Sequence, residues 1–215
     1  MGTVRKSDSS NVTRKPRNPG RPRSESSRTS ILSAVLKLLA TKSLRDISIE
    51  EIAFEAGVSK ATVYRWWSNK TQLAIDAFLN DISVKAPFVV RGTITDTIVS
   101  QVHALADQYR GRDGEILRQI IAECQASPED MKIFHQKFLF LRREEAKRYI
   151  RIARKDGVIA SKLDDDTIID MIYGPIYYRL LLRHARIDKS FVKSIVDHVF
   201  KQFGPIAVAN IRPQS

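Results

Sequence analysis

Between Ser59 and Lys70 the chain sets Lys60, Ala61, Thr62, Tyr64, Arg65 and Trp66 within two helical turns, mixing cations, hydroxyls, methyls and an indole. Each group has a counterpart on duplex DNA. Lys60 and Arg65 can donate to guanine edges, and the Ala61 and Thr62 methyls suit a thymine methyl. The Thr62 and Tyr64 hydroxyls and the Trp66 indole N–H suit phosphate oxygens, and Lys70 adds a charge at the start of the next helix. The competing reading makes Tyr64, Trp66 and Trp67 an aromatic core cluster. Helical spacing divides them: Val63 and Trp67, four apart, share an inward face, while Tyr64 and Trp66 stand with Lys60 and Arg65.

Such a surface needs a helix-turn-helix to hold it, and residues 48–67 have the parts. Ser48 with Glu51 three residues on forms a capping-box pattern for a short second helix ending at Gly57. Ser59 can cap a third helix over 60–67. Ala53 is small where two helices approach, and Gly57 can take the positive φ of the turn. Val58 and Val63 plug a small core based on Ile49 and Ile52. Before it, Ile31, Ala34, Val35, Leu38 and Leu39 make the stripe of a first helix from Ser24 to about Lys42. A fourth helix starts near Lys70.

The run from Ile52 to Lys70, with Leu73 in its place, resembles the DNA-binding signature of the TetR/AcrR family of bacterial repressors, and the likeness spans residues 25–79. The resemblance implies that Lys60, Ala61 and Arg65 face bases, that Thr62, Tyr64, Trp66 and Lys70 grip the backbone, and that Ser48 touches a phosphate. Two departures stand out. Ala61 occupies a position where the family often has Gly, and Trp66-Trp67 replaces the commoner His-Phe or Tyr-Phe, so an operator sequence does not carry over.

The formal charge is +12, and residues 1–28 hold eight Lys/Arg against two acids. Residues 1–23 have almost no large apolar side chains and are expected to be a disordered basic arm. Within it, Asn18-Pro19-Gly20-Arg21-Pro22-Arg23 resembles the Gly-Arg-Pro core of minor-groove AT-hook segments, which puts Arg21 and Arg23 among the expected DNA contacts. A solvated tail without a specific partner is the other reading of that charge. The single cysteine, Cys124, rules out an intramolecular disulfide and fits a reducing cytoplasm. No apolar run approaches the roughly 20 residues of a membrane helix, so no membrane partner is expected.

The rest of the chain keeps a helical period over 94–109, 115–125, 128–155, 166–185 and 189–203, punctuated by Gly111, Gly114, Pro128, Asp156-Gly157 and Asp188. An all-α fold of about nine helices follows. Residues 24–70 form the three-helix DNA-binding domain, 71–87 a connecting helix, and 88–215 a larger helical regulatory and dimerisation domain.

Two-fold pairing would supply two half-sites on a palindromic, double-stranded operator. In TetR-like proteins the last two helices make that interface, which here points to Ile176, Leu180, Phe191, Ile195 and Val199. Tyr173 to Leu181 also resembles the C-terminal domain of one TetR subgroup, and Gly174-Pro175 is expected to kink its helix. His103, Tyr109, Cys124, Phe134, Phe138, Leu141, Tyr173 and Tyr177 are candidates to surround a small hydrophobic or amphipathic ligand, with ordinary core packing as the alternative for each. His103 and His135 lack metal-ligand spacing, and Asp164-Asp165-Asp166 reads as a helix cap. With no phosphate loop, nucleophile elbow or zinc-protease pattern, neither a cofactor nor enzyme activity is expected. The expected function is a homodimeric repressor released by a small molecule. A constitutive or architectural DNA binder is the alternative.

Overall fold

The computed structural model describes residues 22–82 and 88–204, and all regular elements among them are helical. In order they are α1 (Pro22–Leu38), α2 (Ile49–Glu55), α3 (Lys60–Tyr64), α4 (Lys70–Ile82), α5 (Ile94–Tyr109), α6 (Arg112–Gln125) and α7 (Pro128–Phe134). A π-helical segment (His135–Leu139) joins α7 to α8 (Phe140–Lys155), and α9 (Asp165–Leu182) and α10 (Lys189–Phe203) follow. Because α7, the π segment and α8 run without a break, the described residues form nine rods, in line with the all-α expectation.

The first four helices share a core of Ile31, Val35, Ile47, Ile52, Val63 and Leu73. α1 begins at Pro22, two residues earlier than the spacing suggests, because proline's fixed φ and missing N–H are harmless in a first turn. Arg23 therefore lies in the first turn of α1 and not in an extended arm. Arg21 and the rest of the basic arm lie outside the described residues. α1 stops at Leu38, four residues short of Lys42, where Ala40 N–H and Thr41 N–H turn to the carbonyls three residues back.

Around α5 the second domain collects α6, α8, α9 and α10. The α5–α6 turn is tight enough that a Cβ on Gly114 would stand 2.0 Å from the Tyr109 carbonyl oxygen. The Asp164-Asp165-Asp166 run does cap a helix: Asp164 accepts the Thr167 N–H at 2.8 Å. Its other two members hold α8, through Arg151 and Arg154 on Asp165, and Arg143 and Lys147 on Asp166. α9 runs through Gly174-Pro175 and ends at Arg183, a left-handed residue at φ 55°. Among the described residues no helix is long and apolar enough to cross a membrane.

The two domains meet along α4, which packs on α6 and α7. Leu44 N–H donates to Gln119 Oε1 of α6 at 2.7 Å, and Arg112 reaches the Leu36 carbonyl.

Candidate nucleic-acid interface and cavity

Local capping builds the reader. Ser48 Oγ accepts the Glu51 N–H at 3.1 Å while Glu51 Oε2 accepts the Ser48 N–H at 2.9 Å, the full reciprocal box. Ser48 Oγ still has its own proton to donate. Gly57 turns the chain at φ +65°. Ser59 Oγ then accepts the Thr62 N–H at 3.2 Å and starts α3. α3 proper ends at Tyr64, and Trp66 and Trp67 follow in a turn whose N–H groups both reach the Val63 carbonyl.

Val63 and Trp67 are buried, Trp67 donating its indole N–H to Asp76 of α4 at 3.0 Å. Tyr64 and Trp66 are 49% and 38% exposed, alongside exposed Lys60, Ala61 and Arg65. Thr62 is half-buried, its hydroxyl 2.9 Å from Ser59 Oγ.

Two of the cations are already engaged. Lys60 pairs with Glu50 of α2, which raises the ammonium pKa, and the same hydrogen bond is the main reason the Glu50 carboxyl sits below its ordinary value. Lys70 is a staple: its Nζ donates to the Arg45 and Ile47 carbonyls at 2.6 and 2.9 Å, closing the loop before α2. Its charge lies beside the reader, but its hydrogen bonds point into the fold.

The second domain holds a partly open cavity of about 350 Å³. Four of the eight candidates line it: Tyr109, Phe134, Tyr173 and Tyr177. The other four do not, for identifiable reasons. On α5 the lining positions are Gln101, Leu105 and Tyr109 at four-residue intervals, and His103 lies half a turn away, near Lys189 and Arg110. On α6, Ile121 and Gln125 line the space, whereas Cys124 is packed in the core, where burial pushes its thiol up to about 11. Phe138 packs between Phe134 and Phe78 of α4, with ring centroids 5.1 and 5.9 Å away.

Leu141 is 62% exposed because of the π segment. Positions 134, 138 and 141 would share a face of a regular α-helix, but one inserted residue turns the following helix by about 100° and brings Arg142 and Ala146 inward instead. A signal for this was present. In the series Phe134, Phe138, Arg142, Ala146, Ile150 every step is four residues, which drifts by about 40° per step on an ideal α-helix.

Sequence reasoning also missed Gln101, Arg142, Arg143 and Asp170, polar groups of the lining. Tyr173 OH donates to Gln101 Oε1 at 2.5 Å, and the Tyr109 and Tyr177 hydroxyls stand 3.0 Å apart. Burial raises the pKa of all three phenols, and the charge of Arg142 acts on each in the opposite direction.

Of the residues expected to pair two copies, Ile176, Leu180 and Val199 are buried in the chain's own core, since they lie on the inward stripes of α9 and α10. Phe191 and Ile195 are partly exposed, Phe191 beneath the Arg179 guanidinium at 3.3 Å. The outer face of α9 carries Met171, Tyr178, Leu181 and Leu182 instead.

Known proteins share these features along most of the chain. The family model described as "Bacterial regulatory proteins, tetR family" matches residues 31–77, and that described as "Tetracyclin repressor-like, C-terminal domain" matches residues 91–199. The HTH-type transcriptional regulator YdeS of Bacillus subtilis (strain 168) is 35% identical over 182 residues, 85% of this chain and 92% of the relative. The HTH-type transcriptional regulator Mb1581 of Mycobacterium bovis is 25% identical over 171 residues, 80% of this chain and 84% of the relative. The crystal structure of the TetR family transcription regulator SCO0332 superposes with a TM-score of 0.71 at 29% identity, covering 83% of this chain and 99% of that one. With the reader, the two-domain helical fold and both family matches in agreement, the chain belongs to the TetR family of DNA-binding transcriptional regulators, which are not enzymes.

Proposed function

We propose that the protein is a homodimeric repressor that reads a palindromic operator through α3 and leaves it when a small molecule fills the cavity. The observation that carries the reading is the way one cavity wall is tied to the reader. α7 and the π segment contribute Met131, Phe134, His135 and Leu139 to the cavity. The same stretch holds α4 by two polar links. Buried Asp130 accepts from Asn69 Nδ2 and Gln72 Nε2, both at 3.0 Å, where Asn69 Oδ1 caps α4 through the Gln72 N–H. Lys137 Nζ donates to Asp76 Oδ1 at 2.6 Å, and the other oxygen of that carboxylate accepts the Trp67 indole N–H.

A ligand that moves this wall must therefore rearrange α4 or Trp67, and through them α3. DNA and ligand then oppose each other by one coupling factor, which acts on both affinities. The switch works only to the extent that the ligand binds the two arrangements differently. Met171, Tyr178, Leu181 and Leu182 on α9, with Phe191 and Ile195 on α10, are the apolar groups available to a second copy. In this reading Arg65, Lys60 and Ala61 meet base edges, while Ser48, Thr62, Tyr64 and Trp66 meet phosphates.

Selection of bound fragments from genomic DNA, repeated with cell metabolites present, tests the whole reading. One enriched palindrome, lost in the metabolite arm, is the expected result. On that fragment Arg65→Ala should cost about 1–3 kcal/mol and lower the ratio of specific to random binding. Equal losses on both DNAs would make the protein an architectural binder, and a palindrome indifferent to metabolites would make it a constitutive one.

A further inference from the structure

The charged groups of the cavity lining are spent on one another or on their neighbours. Arg143 uses all three of its nitrogens: Nε and Nη2 donate to Asp166 Oδ1 at 3.1 and 2.8 Å, and Nη1 donates to Asp170 Oδ1 at 2.5 Å. Asp170, the carboxylate of the lining, is thereby engaged as well. Arg142 pairs with Glu145 at 3.8 Å. The Asp166 and Asp170 side chains are 50% and 66% exposed, so these pairs stand where the lining meets water.

The buried part of the lining is different. Its apolar members are Leu105, Ile121, Phe134, Ala146 and Ile169. Its polar members, Gln101 and Tyr109, are hydrogen-bonded to Tyr173 and Tyr177 at 2.5 and 3.0 Å. A charged head brought among these groups must leave water, and to gain a partner it must pull apart a pair that already exists. An uncharged molecule gives up far less hydration and gains by burying apolar surface.

Rings are frequent in the walls: Phe88, Tyr109, Phe134, Tyr173 and Tyr177 all line the cavity, and ring-on-ring contacts add to what area burial supplies. A dry cavity of about 150 Å³ takes one benzene ring, so about 350 Å³ has room for two rings.

We propose that the cavity takes an uncharged aromatic molecule of about two rings and rejects organic ions of the same shape. The proposal rests on the ligand-responsive reading above for its consequence at DNA, but the preference for an uncharged ring is a property of the cavity alone.

Calorimetric titration of the full chain tests this with 2-naphthalenemethanol, the anion 2-naphthoate, the cation 2-naphthylmethylammonium and the saturated decahydro-2-naphthalenemethanol. The aromatic alcohol should bind, the two ions about tenfold or more weakly, and the saturated alcohol a few-fold more weakly. Ala146→Leu on α8 and Ile121→Phe on α6 crowd the cavity from separate helices, and each should weaken the aromatic alcohol about tenfold.

The order of the four probes on the unmodified protein needs no variant to fold. Either ion binding as tightly as the aromatic alcohol, a saturated alcohol equal to it, affinity unmoved by both crowding variants, or no binding of the alcohol at millimolar concentration would each overturn the proposal. Anisotropy on a selected DNA fragment separates this from the reading it builds on. An alcohol that binds in the stated order but leaves DNA binding unchanged sinks ligand release and keeps the uncharged-ring site. Charged metabolites that release DNA from the unmodified protein but not from the Ala146→Leu variant do the reverse.

Discussion

The surface of α3 and the cavity between α5, α6, the α7–α8 rod and α9 hold similar chemical groups in opposite circumstances. On α3 the cations, hydroxyls and aromatics face water, and the bond that occupies Lys60 is an exposed ion pair to Glu50. In the cavity, buried Tyr109 and Gln101 are tied to the half-buried Tyr177 and Tyr173. Exposed ion pairs are weak, so phosphate or a base edge can take Lys60 from Glu50 at little cost. Buried hydrogen bonds have no water to replace them, so whatever enters the cavity must return each bond it breaks. The first arrangement suits rapid sampling of many DNA sites, and the second suits discrimination among small molecules.

The largest test of that contrast falls on the turn that sets Tyr109. A Cβ at Gly114 meets the Tyr109 carbonyl at 2.0 Å, and the obstacle is backbone, so α5 or α6 must shift and carry the cavity with it. Gly114→Ala should lower unfolding free energy by about 3 kcal/mol in urea titration. A loss under about 1 kcal/mol would mean that the turn relaxes freely and that the cavity is not rigidly framed.

A smaller effect is expected where the two regions join. Asp130→Ala takes the acceptor from the half-buried Asn69 and Gln72 amides, at a cost of about 1–3 kcal/mol.

 The same change should speed amide exchange at Gln72, whose N–H is held by the Asn69 cap, and leave α10 unaffected. Unchanged exchange at the start of α4 would show that the cap stands without Asp130, and the link between cavity wall and reader would lose its main strut.

Legibility in the sequence follows the same division. Ser48, Glu51, Gly57 and Ser59 act on neighbours within a few residues, so the caps, the turn and the outward face of Tyr64, Arg65 and Trp66 can be read from spacing alone. Lys70 could not, because its two carbonyl partners lie more than 20 residues back in the chain. The cavity depends on how five helices are phased against one another. One π insertion was enough to send Leu141 to the surface and Arg142 inward, and half a turn on α5 separated His103 from Gln101. Burial of Ile176, Leu180 and Val199 has a similar origin: α9 is apolar nearly all round, so its composition does not say which face the chain keeps for itself.

The smallest expected effect bears on the exposed side of the comparison. Glu50 is the acid nearest the reader by contact, and its pairing with Lys60 both restrains that side chain and places a negative charge where a phosphate backbone would approach. Glu50→Gln removes the charge and keeps the shape, so DNA affinity should rise a few-fold, the modest scale of exposed ion pairs. The gain should be similar on specific and random DNA, since it is electrostatic, and the dependence of affinity on salt should steepen as Lys60 becomes available to displace a counterion. Measured by anisotropy over a salt series, a rise confined to the specific fragment would mean that Glu50 orients Lys60 toward a base. A fall in affinity would mean that the ion pair is part of the reader's shape, and that the exposed surface is as preorganised as the cavity.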